Sequence, residues 1–172
     1  KDGIYHYSLS IPNTATSIKL GFGNTLPVPE TIAGFGIDNL VIDEVTGGTP
    51  TNIVNDDFES GIPADDWGNG QFISVTDTFL GEYGDTDGAP VPVKTITWSG
   101  PSIDSTEVTF DALIFGSWDS EPFKVYFDDV EVYSYDFPFV YATPSNGSNG
   151  NVSWTVTPIY TQQQELNGDY QY

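Results

Sequence analysis

Apolar and polar residues alternate along most of this chain, and that period of two constrains its fold more than any other feature. Tyr5, Tyr7, Leu9 and Ile11 alternate with His6, Ser8 and Ser10; Ile18, Leu20 and Phe22 alternate with Lys19 and Gly21. Val108, Phe110, Ala112 and Ile114 line one face of a long strand. Residues 123–135 read as another strand and 152–159 as a late one. Residues 37–44 are unusual in placing apolar groups on both faces. Side chains on a strand point alternately to its two faces, so this pattern buries one side of a sheet. Gly, Pro and Asn-Gly turns punctuate the runs, and no window of eleven or more sustains a capped helical stripe. The expected fold is all-β: an antiparallel β-sandwich or jelly roll.

Charge decides whether such a chain folds and what it can meet. Its 172 residues include 25 Asp or Glu, four Lys and no Arg, a formal net charge of -21. Strong acidity usually signals disorder, but 11 Phe, 10 Tyr and four Trp supply enough apolar surface for a core. Four Lys neutralise few phosphates, which excludes nucleic acid, and the same field disfavours anionic membranes. The absence of Cys removes disulfides, zinc–thiolate sites and thiol nucleophiles. His6 is the sole histidine, so no His-based metal site or Ser-His-Asp triad is expected, and it is read as a solvent-side residue of its strand. Oxygen ligands remain, the set that suits calcium. No apolar run reaches the roughly 18 residues of a membrane span. The lack of Met implies a processed chain or a piece of one. The acidic, Cys-free, Thr/Asn/Gly-rich balance suggests an extracellular or cell-surface protein.

Residues 46–55, with Gly47, Gly48 and Pro50, read as a linker between residues 1–45 and a main β-sandwich body over 56–172. Residues 143–150 form a second polar loop. Phe35-Gly-Ile-Asp-Asn-Leu-Val-Ile42 echoes Val125-Tyr-Phe-Asp-Asp-Val-Glu-Val132. Two similar strands of one sheet explain the echo, and repeated modules are the alternative.

Several motifs occur together: Ile18-Lys-Leu-Gly-Phe-Gly23, Phe35-Gly-Ile-Asp-Asn39, Asp57-Phe-Glu-Ser-Gly61, Phe79-Leu-Gly-Glu-Tyr-Gly84, and Val108-Thr-Phe-Asp-Ala-Leu-Ile114 followed by Ser117-Trp-Asp119. The set resembles a family of exported bacterial tandem-repeat β-sandwich modules. These are similar in outline to calcium-stabilised, carbohydrate-binding jelly rolls, and the chain also resembles protomers of glycosylated extracellular fibrils. Such modules tend to open with an Asp-Phe-Glu-like strand and close with an Ile-Asp-Asn strand. Here the closing motifs precede the opening one, so the family order is restored only by reading residue 56 to 172 and then 1 to 45. The chain is therefore a circular permutant, one period of a tandem array, or a unit whose N-terminal strands complete a neighbour by donor-strand complementation. Donation would be head-to-tail and would propagate into a filament of identical protomers.

The resemblance implies one structural calcium held by Asp38, Asp57 and Glu59 with nearby carbonyls. Asp85-Thr-Asp87-Gly88 copies the start of an EF-hand loop, but Ile96 stands where its twelfth-position Glu belongs. Asn146-Gly-Ser148 and Asn151-Val-Ser153 fit the N-glycosylation pattern, and Thr49, Thr51, Thr143 and Ser145 adjoin prolines as O-glycan candidates. Trp67 and Trp118 are the sugar-stacking candidates of a lectin-like alternative, with Trp98 and Trp154 behind them. Asp66 beside Trp67 and Asp119 beside Trp118 could be cast as glycosidase carboxylates, but with 25 acids such adjacency is expected by chance. The expected function is non-enzymatic: the structural protomer of an extracellular filament, adhesin stalk or surface assembly.

Overall fold

In the computed structural model, residues 3–12, 17–25, 33–60, 72–74, 78–84, 93–97, 103–138 and 144–161 are described. They form β1 (Gly3–Pro12), β2 (Ser17–Asn24), β3 (Ala33–Thr46), β4 (Thr49–Asp56), β5 (Phe72–Ser74), β6 (Thr78–Tyr83), β7 (Val93–Thr97), β8 (Ser105–Gly116), β9 (Glu121–Phe127), β10 (Val130–Phe137), β11 (Gly147–Asn149) and β12 (Val152–Thr161). The larger sheet runs β11-β12-β1-β8-β3-β6-β5, with β4 also on β3, and the smaller runs β10-β9-β2-β7. Every pairing is antiparallel. This is an all-β, two-sheet sandwich of permuted, jelly-roll-like topology.

The alternation read from sequence sets which side chains face inward. Tyr5, Tyr7, Leu9 and Ile11 on β1 are buried, as are Val108, Phe110, Ala112 and Ile114 on β8. Between the sheets lies an aromatic cluster. Tyr7 stacks on Phe110 at 5.0 Å, Phe22 meets Phe110 edge-on at 4.9 Å, and Phe35 meets Phe123 at 5.3 Å. Each fully buried ring contributes roughly 1.5–3 kcal/mol by leaving water.

The apolar residues on both faces of residues 37–44 have a local cause. Ala33, Phe35 and Ile37 face the core before Asp38-Asn39, whereas Leu40 and Ile42 face it afterwards. The pairing of β3 with β8 slips between Asp38 and Val41, and Asn39 has φ 50°. This bulge moves the inward phase from odd to even positions. On the opposite face the early part of β3 is also covered: a Cβ at Gly36 would lie 2.5 Å from the Phe79 ring.

Two segments differ from the sequence expectation. Residues 123–135 are not one strand but the β9–β10 hairpin, whose turn residues Asp128 and Asp129 have φ 50° and 64°. Asp128 N–H donates to the Lys19 carbonyl at 2.8 Å, and its carboxylate accepts Lys19 N–H at 2.9 Å. The two halves of the internal echo are thus a bulge and a turn, not equivalent strands. Residues 46–55, read as a linker, hold the β3–β4 turn and most of strand β4. Gly47 and Gly48, at φ 59° and 76°, form the two-residue turn that joins β3 to β4. Two consecutive positive φ values suit a hairpin, where they match the strand twist.

The cyclic order is realised in a single chain. β1 lies between β12 and β8, β2 between β9 and β7, and β3 between β8 and the β4 and β6 strands. β1 and β12 are antiparallel neighbours with Gly3 opposite Thr161, so the two ends of the described chain meet side by side. No helix among the described residues is long and apolar enough to cross a membrane.

Candidate functional site

The proposed calcium ligands are placed near one another by β3 and β4, since Leu40 pairs with Asp56 and Asp57 follows. Their carboxylates are nevertheless turned to backbone work. Asp57 Oδ1 accepts the Glu59 N–H at 3.1 Å, and Glu59 Oε1 accepts the Thr78 N–H at 2.9 Å. Asp38, only 6% exposed, accepts the Asn39 N–H at 2.7 Å and the Asn39 amide at 3.3 Å. Among the described residues no three His, Cys, Asp or Glu side chains are grouped to hold a metal ion. Asp85 and Asp87 lie outside the described residues. The Asp-Phe-Glu motif is a turn rather than an opening strand. Asp56 caps the Phe58 N–H at 2.9 Å, and Phe58 is fully buried at φ 55°.

Trp118 is a core residue rather than a sugar platform. It is 3% exposed, and its indole N–H is directed at the carbonyls of Gly34 (3.2 Å) and Phe115 (2.9 Å). Its ring packs edge-on to Phe137 at 5.7 Å. Trp154 is half-buried, edge-on to Tyr133 at 5.4 Å, with its indole N–H on the Ser145 carbonyl at 3.1 Å. Asp119 is exposed, and its N–H donates to Glu121. Trp67, Trp98 and Asp66 lie outside the described residues.

Both sequons sit around the β11–β12 hairpin. Asn146 precedes β11 and is exposed, but its side-chain carbonyl accepts the Val156 N–H at 2.9 Å. Asn151 occupies the turn with Gly150 and is exposed. Thr49, Thr51 and Ser145 are exposed as well, whereas Thr143 is outside the described residues.

The bulge at Asp38-Asn39 also builds a polar relay that the sequence reading missed. His6 Nδ1 lies 2.7 Å from Asp111 Oδ1, and the Asn39 amide donates to Asp111 Oδ2 at 2.9 Å. His6, Asp111 and Asp38 stand in register on β1, β8 and β3. The relay therefore ties the two N-terminal strands β1 and β3 to β8 between them. Period-two alternation predicts that His6 and Asp111 face outward, but only sheet order brings them together.

The other junction is covalent. Residues 3–46 connect to the remaining described chain through Gly47-Gly48 alone, a turn closed by the Thr46–Thr49 pair. Nothing lies within 4 Å of where a Cβ would stand at either glycine. Strands β1 to β3 nonetheless supply Tyr7, Phe22 and Phe35 to the aromatic cluster, while β8, β9 and β10 supply Phe110, Phe123 and Tyr133. Half of these rings come from each side of the turn.

Compared with known protein families, with curated proteins and with solved structures, the chain matches none.

Proposed function

We propose that this chain is the non-enzymatic structural protomer of an extracellular filament, adhesin stalk or surface assembly. Copies join head-to-tail by exchanging strands β1 to β3. The supporting observation is the division of the core: residues 3–46 occupy interior positions of both sheets, yet one Gly-Gly turn is their link to residues 49–161. A neighbour can supply the same three strands with every strand pair and ring contact kept. Only the turn must change, from two positive φ values to an extended link. Glycine adopts both without steric cost. Each copy then donates to the next, a heterologous contact that propagates instead of closing. The lectin-like alternative is weakened by the burial of Trp118.

Deleting Gly47 and Gly48 tests this reading. Adjacent strands lie about 4.8 Å apart, and without the two turn residues β3 cannot fold back on β4. The deletion variant is expected to form head-to-tail oligomers by light scattering and electron microscopy. Gly47→Asn, which creates the preferred Asn-Gly turn, is expected to favour the monomer. A deletion variant that stays monomeric with an unchanged near-ultraviolet spectrum refutes exchange.

A further inference from the structure

We propose that β4 and β12, two open edge strands of the larger sheet, are closed to strand addition by backbone chemistry more than by charge. The closure stands on its own; its consequence, that copies join without extending the sheet, rests on the exchange reading. β4 pairs with β3 on one side and, among the described residues, with nothing on the other. β12 pairs with β1, and β11 covers its outer side only over Val152–Trp154. Open edges of this kind invite pairing with another chain, and proteins commonly guard them with charged residues. This chain has 25 acidic residues to use, yet β4 carries a charged residue only at its last position, Asp56, and residues 137–164 carry none. By contrast β10, an edge of the smaller sheet, carries Glu131 and Asp136.

Two devices stand on both edges instead, and a third on β12. The first is proline. Thr46–Thr49 closes a two-residue turn as a hydrogen-bonded pair, so Val45–Pro50 is a non-bonded pair and the Pro50 nitrogen faces the open side. On β12, Val156 sends its N–H outward to Asn146, so Pro158, two residues on, turns its nitrogen the same way. The second is a bulge. Pairing skips Ile53 on β4 and Ile159 on β12, which bends each edge out of register for a newcomer. The third, on β12, is an asparagine side chain: Asn146 accepts the Val156 N–H at 2.9 Å, whereas the Asn52 amide of β4 is turned to Asp43 and the Ile42 carbonyl of β3. A strand approaching β12 beyond Trp154 thus finds one donor already used and the next absent. Exposed Ile159, at 56%, stands where the ladder is bent.

The experiment uses unglycosylated full-length protein carrying Gly47→Asn, so that strand exchange is suppressed in parent and variants alike. Pro158→Thr with Asn146→Ala reopens the β12 edge, and Pro50→Thr separately reopens β4. Sedimentation velocity across a concentration series is expected to show self-association at roughly tenfold lower concentration in each variant than in the parent, because backbone hydrogen bonds are regained. Far-ultraviolet circular dichroism verifies that the fold is kept, and if the double variant unfolds Pro50→Thr gives the same readout. Folded variants that sediment like the parent overturn the proposal. Association of the edge variants, together with a monomeric glycine-deletion variant, refutes exchange while leaving edge closure intact.

Discussion

Tyr7 shows how one side chain binds the two sheets and links stability to pH. Its ring lies on Phe110, and its hydroxyl is 3.2 Å from that of Tyr133 on the smaller sheet. Burial holds the Tyr7 phenol well above its ordinary value of 10.0, with the Tyr133 charge and hydrogen bond adding to the rise. Burial also raises Tyr133, against a smaller lowering by its bond to Tyr7. Both groups stay neutral when folded but ionise near pH 10 when unfolded. Their stabilisation is therefore complete below about pH 10 and is lost as pH rises toward the folded values, by up to about 1.4 kcal/mol per pH unit for each group. Urea unfolding followed from pH 8 to 11.5 is expected to show this fall. Tyr7→Phe should cost about 1 kcal/mol at pH 8 and make the alkaline decline shallower. An unchanged decline would remove Tyr7 from the account.

Among the elements, the β9–β10 hairpin carries a visible compromise. Asp128 and Asp129 both occupy left-handed backbone, where glycine or asparagine is preferred, and they are like charges side by side. Lys19 offsets part of this, with its Nζ 2.6 Å from Asp129, but both side chains are well exposed at 38% and 59%. A pair of that kind contributes at most about 1 kcal/mol, and usually less. Relief of the backbone outweighs it, so Asp129→Gly is expected to raise the melting temperature by about 1–3 °C. A drop would show that the Lys19 pair dominates. The β3–β4 turn is the reverse case: its glycines already suit the geometry, and their value lies in being able to leave it.

Across the whole molecule, a net charge of -21 acts against compactness. The lysine ion pairs found among the described residues are Lys19–Asp129 and Lys124–Glu131, too few to balance 25 acids. Self-repulsion of this kind is long-ranged at low salt and is screened beyond about 10 Å at 0.1 M. Raising sodium chloride from 10 mM to 0.5 M is expected to raise the melting temperature by several degrees, measured by differential scanning fluorimetry. A melting temperature that is flat or falls with salt would contradict it.

The all-β class and the inward residues of β1 and β8 were legible in the residues themselves. The reason is that period two and turn chemistry are local properties. The bulge at Asp38-Asn39 was half legible: apolar residues on both faces of residues 37–44 signalled it, but only pairing with β8 turned that ambiguity into a phase shift. The Asp128-Asp129 turn was hidden because aspartate pairs serve in strands and turns alike, and docking on Lys19 of β2 chooses between them. The burial of Trp118 and the His6–Asp111–Asn39 relay depend on strand order. Alternation says that a side chain points up or down, not which strand lies beside it. Tertiary structure alone decided that residues 3–46 are interior to both sheets and that residues 46–55 are a two-residue turn followed by strand β4, because strand neighbours are set by long-range pairing that no local pattern encodes.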